Sequence, residues 1–230
     1  MPVVRPRSYA AIDLGTNNCR LLIARPQEGE LVVIDAFSRI VRLGEGLHST
    51  GRISEAAMDR TVAALAICAD KLRRRHVTLS RAVATEACRR AANGVELADR
   101  VRRETGIVLD IISAAEEARL AALGCHNLME PGDGPALIFD IGGGSTELMH
   151  VDISDHDVAI RDWISVPWGV VSLTEHAPPS EDNLSARQAS YAHMRAVTRE
   201  AFAGFAERVK CYEGQPLRLL GTSGTVTTLA

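Results

Sequence analysis

The 230-residue chain lacks any paired-cysteine motif. Its five cysteines, Cys19, Cys68, Cys88, Cys125 and Cys211, are scattered, odd in number and without a C-x-x-C spacing. That excludes a disulfide framework or a zinc ribbon and leads to the expectation of reduced thiols in a cytoplasmic protein. The seven histidines show no metal-ligand spacing. No apolar run is long enough to span a bilayer, and Met1 to Ser8 carries two prolines and two arginines instead of a leader's apolar core, so no membrane partner is expected. There is no excess of positive charge. The net charge is −3, which argues against a surface built to bind nucleic acid. With 46% hydrophobic residues the chain can build a sizeable core, which excludes global disorder.

Against this plain background one segment stands out. Phe139–Asp140–Ile141–Gly142–Gly143–Gly144–Ser145–Thr146–Glu147 is entered by Ala136–Leu137–Ile138 and left by Leu148 and Met149. The pattern predicts strand, glycine turn, strand. Adjacent glycines let backbone N–H groups converge with no Cβ in the way, and such a nest of N–H groups seats an anion. Asp140 and Glu147 flank the turn with hard oxygen ligands suited to Mg²⁺. Phosphate donors and metal carboxylates on one hairpin point to phosphoryl chemistry.

A lone glycine turn is a weak signal, but this one occurs twice. Ala11–Ile12–Asp13–Leu14–Gly15–Thr16–Asn17–Asn18–Cys19–Arg20–Leu21 lies over Ile138 to Leu148. Asp13 falls on Asp140, Gly15 on Gly142, Asn18 on Ser145 and Arg20 on Glu147, at a constant offset of 127 residues. A repeat that long implies duplicated domains, since solenoid periods are much shorter. A third small polar loop, Gly221–Thr222–Ser223–Gly224–Thr225, follows the strand-like Leu217–Leu220 and is expected to open a helix whose N-terminus favours an anion. The candidate phosphate contacts are therefore Gly15, Thr16, Asn17 and Asn18, then Gly142, Gly143, Gly144 and Ser145, then Thr222, Ser223 and Gly224. Most of the arginine pairs read as solvated helix faces. Arg89, which follows the strand end Val83–Ala84–Thr85, is the candidate cationic contact.

The first half reads as three strands near Tyr9–Ile12, Leu21–Arg25 and Leu31–Arg42, and then alternating helices and strands. Ser54 is an N-cap candidate for a helix with Met58, Val62, Leu65, Ala69 and Leu72 on its buried stripe. A second helix spans about Gly94 to Glu104, a strand Ile107–Ile112, and a third helix starts near Ala114–Glu116. The second half begins again with three strands, Pro135–Ile141, Thr146–Val151 and Val158–Val166. A long helix over Ser185–Val209 follows, expected to bury Tyr191, Met194, Val197, Phe202 and Phe205. Gly124 to Gly134 is the expected connector, dividing the chain into domains 1–126 and 127–230. The fold class is α/β with mixed sheets flanked by helices.

Paired domains with matching phosphate turns resemble the actin-like ATPase superfamily, whose two ribonuclease-H-like domains bind phosphates in the cleft between them. Within it, the chain resembles the exopolyphosphatase / guanosine pentaphosphate phosphatase family. The resemblance rests on Asp13 to Asn17, Val41–Arg42–Leu43–Gly44–Glu45–Gly46, Ala84–Thr85 with Arg89 and Asn93, Glu116–Glu117–Ala118–Arg119–Leu120, Asp140 to Glu147, and Gly221 to Thr225, all in the family's order. The family's first loop often reads Ser-Asn-Ser where Thr16–Asn17–Asn18 stands here. Family members continue beyond the third loop, so the resemblance implies a second domain that is incomplete at its C-terminal end.

The resemblance implies Glu117 as the catalytic base, with Asp140, Glu147 and Asp13 as the metal site for Mg²⁺. From its own surroundings in the sequence, Glu117 reads equally as a first-turn residue favoured by the helix dipole. With the resemblance, the expected activity is metal-assisted water attack on the terminal phosphate of inorganic polyphosphate or guanosine pentaphosphate, in a chain that could form a homodimer. A phosphate- or nucleotide-binding sensor without turnover and a sugar-kinase-like phosphotransferase are the alternatives.

Overall fold

The computed structural model describes residues 7–129, 135–153, 158–179, 183–210 and 217–229. Its contacts divide the chain into two compact units, Met1–Ile112 and Ser113–Ala230.

The first unit is a five-stranded sheet in the order β3-β2-β1-β4-β5. Its strands are β1 (Tyr9–Leu14), β2 (Asn18–Gln27), β3 (Glu30–Ile40), β4 (Leu79–Ala84) and β5 (Leu109–Ile111). The first three meander antiparallel, while β4 runs parallel to β1 and β5 parallel to β4. The helices are α1 (Leu47–Thr50), α2 (Glu55–Arg74), α3 (Glu86–Arg90) and α4 (Gly94–Thr105). As expected, Ser54 caps α2: its Oγ accepts the Ala57 N–H at 3.3 Å. Glu55 lies in the first turn and Lys71, Arg73 and Arg74 in the last, each sign at the end of the dipole that favours it. Met58, Val62, Leu65, Cys68 and Ala69 recur at helical spacing and enter one core with Ile12 and Leu14 of β1 and Cys19, Leu21 and Ile23 of β2. Lys71 Nζ and Arg75 Nε hold Asp35 of β3 at 2.7 and 2.8 Å, tying the end of α2 to the outer strand. Gly106, at φ 76°, closes α4 where a side chain would be strained.

The second unit has a four-stranded sheet in the order β8-β7-β6-β9. It comprises β6 (Ala136–Ile141), β7 (Thr146–Ile153), β8 (Val158–Val166) and β9 (Arg218–Thr222), with β9 parallel to β6 and the other pairs antiparallel. Its helices are α5 (Ala114–Cys125), α6 (Val170–His176), α7 (Leu184–Val209) and α8 (Ser223–Leu229). Ala118, Ala122 and Cys125 of α5 form its core with Ala136, Ile138, Met149 and Val151. That packing puts α5 in the second unit. The units part after Ile112, earlier than the boundary after His126 read from the sequence. The glycine and proline of the expected connector do not mark it, and residues 130–134 of it lie outside the described residues.

The long helix over 184–209 is present, but its expected buried stripe is not. Phe205 alone of the five residues is fully buried, and Tyr191 is 64% exposed. The helix is joined to the sheet near its C-terminal end, where Arg208 grips Asp162 of β8 at 2.6 and 3.2 Å. Met194, Val197 and Phe202 are half-buried.

Candidate functional site

The two glycine turns are the same structure. In the first unit β1 pairs with β2 with Asp13 opposite Arg20, and the Gly15 N–H donates to the Asn18 carbonyl at 2.9 Å. In the second, β6 pairs with β7 with Asp140 opposite Glu147, and the Gly142 N–H donates to the Ser145 carbonyl at 3.0 Å. The register reproduces the alignment read from the sequence residue for residue.

Each turn is braced by the segment that follows its third strand. After β3, the N–H groups of Val41 and Arg42 donate to the Asn17 carbonyl at 2.8 and 3.1 Å, and Gly44 N–H to the Thr16 carbonyl at 2.9 Å. Arg60 of α2 holds this brace through the Val41 carbonyl at 2.8 Å. After β8, Val170 N–H donates to the Gly142 carbonyl at 3.0 Å, and Val171 and Ser172 N–H to the Gly143 carbonyl at 2.8 and 3.2 Å. Thr146 Oγ1 donates to the Trp168 carbonyl at 2.7 Å. Both braces need a glycine. A Cβ on Gly44 would stand 2.3 Å from Thr16 Cγ2, and one on Gly169 2.4 Å from the Gly143 carbonyl carbon. Sequence reasoning missed Trp168, Gly169 and Ser172. At its constant offset of 127 the repeat sets Gly44 against Val171, whose N–H makes the equivalent bond, and so does not mark Gly169, two residues earlier.

In the second unit, neighbouring positions across the four strands read Ser165, Glu147, Asp140, Thr222. Lateral neighbours in a sheet point to the same face. Glu147 is only 2% exposed and accepts a hydrogen bond from Ser165 Oγ at 2.7 Å. Thr222 brings the third loop alongside, and Ser223 Oγ donates to the Ile141 carbonyl at 2.6 Å, stitching that loop to the glycine turn. Ser223 sits at φ 81°, a conformation that non-glycine residues hold only where surrounding structure imposes it. Gly221 is required by packing, since a Cβ there would lie 2.6 Å from the Phe139 ring and from Val226 Cγ1. Two of the three candidate phosphate loops, 142–145 and 222–225, are thus joined within one unit. The third, Gly15 to Asn18, belongs to the other unit with Asp13.

Glu117 lies half-buried in the first turn of α5, directly before the buried Ala118. Ser113 caps that helix, its Oγ accepting the Glu116 N–H at 3.2 Å. Glu116 pairs with Arg119 at 2.7 and 3.0 Å. The core residues of β6 and β7 that α5 covers alternate onto the same face as Asp140 and Glu147. Burial, with a smaller contribution from the Asp140 carboxylate, pushes the Cys125 thiol up.

Arg89 donates to the Ile112 carbonyl at 2.8 Å and pairs with Glu86, which gives it a structural task at the end of β4. Asn93 is a buried clamp, accepting the Ile53 N–H and donating to the Ile53 carbonyl, both at 2.9 Å. Cys19, beside the first turn, is fully buried against Cys68. The hydrogen bond between the two thiols, reinforced by burial, pushes Cys19 above the ordinary thiol range, in keeping with a structural role.

Among the described residues no group of three or more His, Cys, Asp or Glu side chains is gathered to hold a metal ion. Mg²⁺ commonly takes one or two carboxylates and completes its shell with waters and phosphate oxygens. The Asp140–Glu147 pair, beside a phosphate-type loop, fits that demand. No described helix is long and apolar enough to cross a membrane.

The Ppx/GppA phosphatase family model matches residues 22–230. Exopolyphosphatase 2 of Mycobacterium tuberculosis is 35% identical over 238 residues, covering 96% of this chain and 69% of its own length. An exopolyphosphatase from Cytophaga hutchinsonii superposes with a TM-score of 0.86 at 28% identity, over 97% of this chain and 69% of that one. The Aquifex aeolicus PPX-GPPA enzyme gives 0.74 at 32% identity, over 98% and 71%. At 16% identity and a TM-score of 0.55, the PilM-PilN pilus biogenesis complex shares the fold alone. The architecture is that of actin-like ATPase domains, with mixed sheets flanked by helices. On its braced glycine turns, its acidic strand row and these likenesses, the chain belongs to the Ppx/GppA phosphatase family, whose exopolyphosphatases hydrolyse phosphoanhydrides.

Proposed function

We propose that the protein removes the terminal phosphate of inorganic polyphosphate or of guanosine pentaphosphate. The observation that carries this reading is the Glu147–Asp140–Thr222 row set beside two stitched phosphate loops. Backbone N–H groups of Gly143, Gly144 and Ser145 hold the phosphate chain, and Thr222 and Ser223 add polar contacts. Asp140 and Glu147 would hold Mg²⁺, which when bound neutralises phosphate oxygens and stabilises the leaving group. Glu117 orients the attacking water in line with the terminal phosphorus and takes its proton. The bond formed is water oxygen to phosphorus. The bond broken is the bridging phosphoanhydride, whose electrons leave on the shortened chain.

Both substrates end in the same linkage, so one experiment assigns the substrate. Phosphate release from long-chain polyphosphate and from guanosine pentaphosphate is measured with Mg²⁺ and with EDTA. Metal-dependent release from either supports the reading, and the faster substrate names the activity. No release from both, with phosphate binding intact, rejects it.

A further inference from the structure

The glycine turn does not stand alone, and how it is held decides where its N–H groups point. Gly142 and Gly143 present their carbonyls to the first turn of α6, where Val170, Val171 and Ser172 N–H bind them at 2.8 to 3.2 Å. The Gly144 carbonyl accepts the Ser172 hydroxyl at 3.0 Å. The same Oγ accepts the Gly169 N–H at 2.8 Å. All three glycine carbonyls are thereby turned toward α6. In a planar trans peptide the N–H of the next residue points opposite to the carbonyl. Anchoring the carbonyls of 142, 143 and 144 therefore directs the N–H groups of Gly143, Gly144 and Ser145 away from α6. Glycine needs such a brace, because without a side chain each residue is otherwise free to flip its peptide.

Ser172 is the side chain of this brace that bonds a glycine carbonyl of the turn. It is 7% exposed and closes both ends, one bond to the start of α6 and one to the last glycine of the turn. In the first unit the carbonyls of Asn17 and Thr16 are met by backbone donors, those of Val41, Arg42 and Gly44, and the Arg60 side chain holds that segment through the Val41 carbonyl.

We propose that Ser172 is a positioning residue for phosphate binding: by fixing the Gly144 carbonyl it aims the Ser145 amide, and with it the 143–145 nest, at the substrate's phosphates. This rests on the proposed reading of the turn as a phosphate seat. It goes beyond that reading by assigning the turn's orientation to a residue outside the motif.

The test measures pyrophosphate affinity and steady-state phosphate release for the wild type, Ser172→Ala, Ser172→Thr and Thr174→Ala. Thr174 lies on the same helix, is exposed, and donates to the Val170 carbonyl at 2.6 Å. Its loss costs α6 a hydroxyl bond without touching the turn. Ser172→Ala is expected to weaken pyrophosphate binding about tenfold, the equivalent of about 1.4 kcal/mol. Ser172→Thr should recover most of that, and Thr174→Ala should stay within about twofold of the wild type. Unchanged binding in Ser172→Ala, or an equal loss in Thr174→Ala, overturns the inference while leaving the function standing. A wild type that neither binds pyrophosphate nor releases phosphate sinks the function, and the inference with it. A readout on the wild type alone covers the case of a variant that does not fold. In ¹⁵N-edited spectra, pyrophosphate should shift the amides of Gly143, Gly144 and Ser145 more than those of Val170 and Val171, and the reverse order contradicts the proposal.

Discussion

Replacing Asn93 with alanine is expected to destabilise the first unit by roughly 2 to 5 kcal/mol, which is large for one uncharged side chain. Asn93 is 4% exposed, and its amide satisfies both the N–H and the C=O of Ile53, forty residues away in sequence. The two hydrogen bonds join the segment before α2 to the α3–α4 junction. Alanine removes both partners and leaves the N–H and C=O of Ile53, itself 3% exposed, without them. A buried group that loses its partner costs about 1 to 3 kcal/mol, and here there are two. With a urea slope of about 1 to 3 kcal/mol per molar, the unfolding midpoint should fall by about 1 M or more. Asn93→Asp sharpens the argument. At neutral pH the ionised carboxylate can still accept from Ile53 N–H but cannot donate to its carbonyl, and it buries a charge. Once protonated it can do both. The stability gap between Asn93→Asp and wild type should therefore narrow as pH falls from 7 toward 4. Urea unfolding of the three proteins at both pH values is the assay. An alanine variant within about 0.5 kcal/mol of wild type, the range of an ordinary surface substitution, would refute the clamp.

Other expectations are more compact. Gly221→Ala drives a methyl to 2.6 Å from Phe139 and Val226 and should cost about 1 to 3 kcal/mol by overpacking, read as a lowered Tm. Ser223→Ala loses the bond to the Ile141 carbonyl but keeps the φ of 81°, whereas Ser223→Gly loses the bond and relieves the strain. The glycine variant should therefore be the more stable of the two, by up to about 1 kcal/mol, and the opposite order would remove strain from the account. Asp35 is held down to about 2 by hydrogen bonds from Lys71 and then Arg75. Its contribution is present above the unfolded value near 3.8 and is lost as pH falls through about 2. Asp35→Asn should thus lower the Tm at pH 6 and flatten the loss of Tm on acidification below pH 4; parallel acid profiles for variant and wild type would contradict this.

Much of the fold was legible because the chain states it twice. Asp13 opposite Arg20 and Asp140 opposite Glu147 follow from one alignment, and the Ser54 cap and the stripe of α2 follow from local rules. What escaped the sequence depends on tertiary contact. Whether Tyr191 or Phe205 is buried is decided by how much of α7 reaches β8, and the periodicity of the helix does not carry that. The placement of α5 turns on Ala118, Ala122 and Cys125 finding the β6–β7 face, a contact no connector composition announces. For the site, the glycines and acids were visible as a motif. Ser172 was not, since a serine in the first turn of a short helix has an ordinary capping explanation, and its bond to Gly144 spans 28 residues. Arg89 reads as a phosphate contact because it follows a strand end, and its bonds to Glu86 and the Ile112 carbonyl are contacts the sequence does not announce.

The central claim is that this chain hydrolyses a terminal phosphoanhydride with Glu117 activating water and Asp140 serving the metal. The most direct measurement compares Mg²⁺-dependent phosphate release and polyphosphate binding in wild type, Glu117→Gln and Asp140→Asn. The account predicts that Glu117→Gln loses at least about 100-fold in kcat, the scale of a missing general base, with binding intact. It also predicts that Asp140→Asn shifts the Mg²⁺ requirement to higher concentration. A Glu117→Gln variant turning over at the wild-type rate would contradict it.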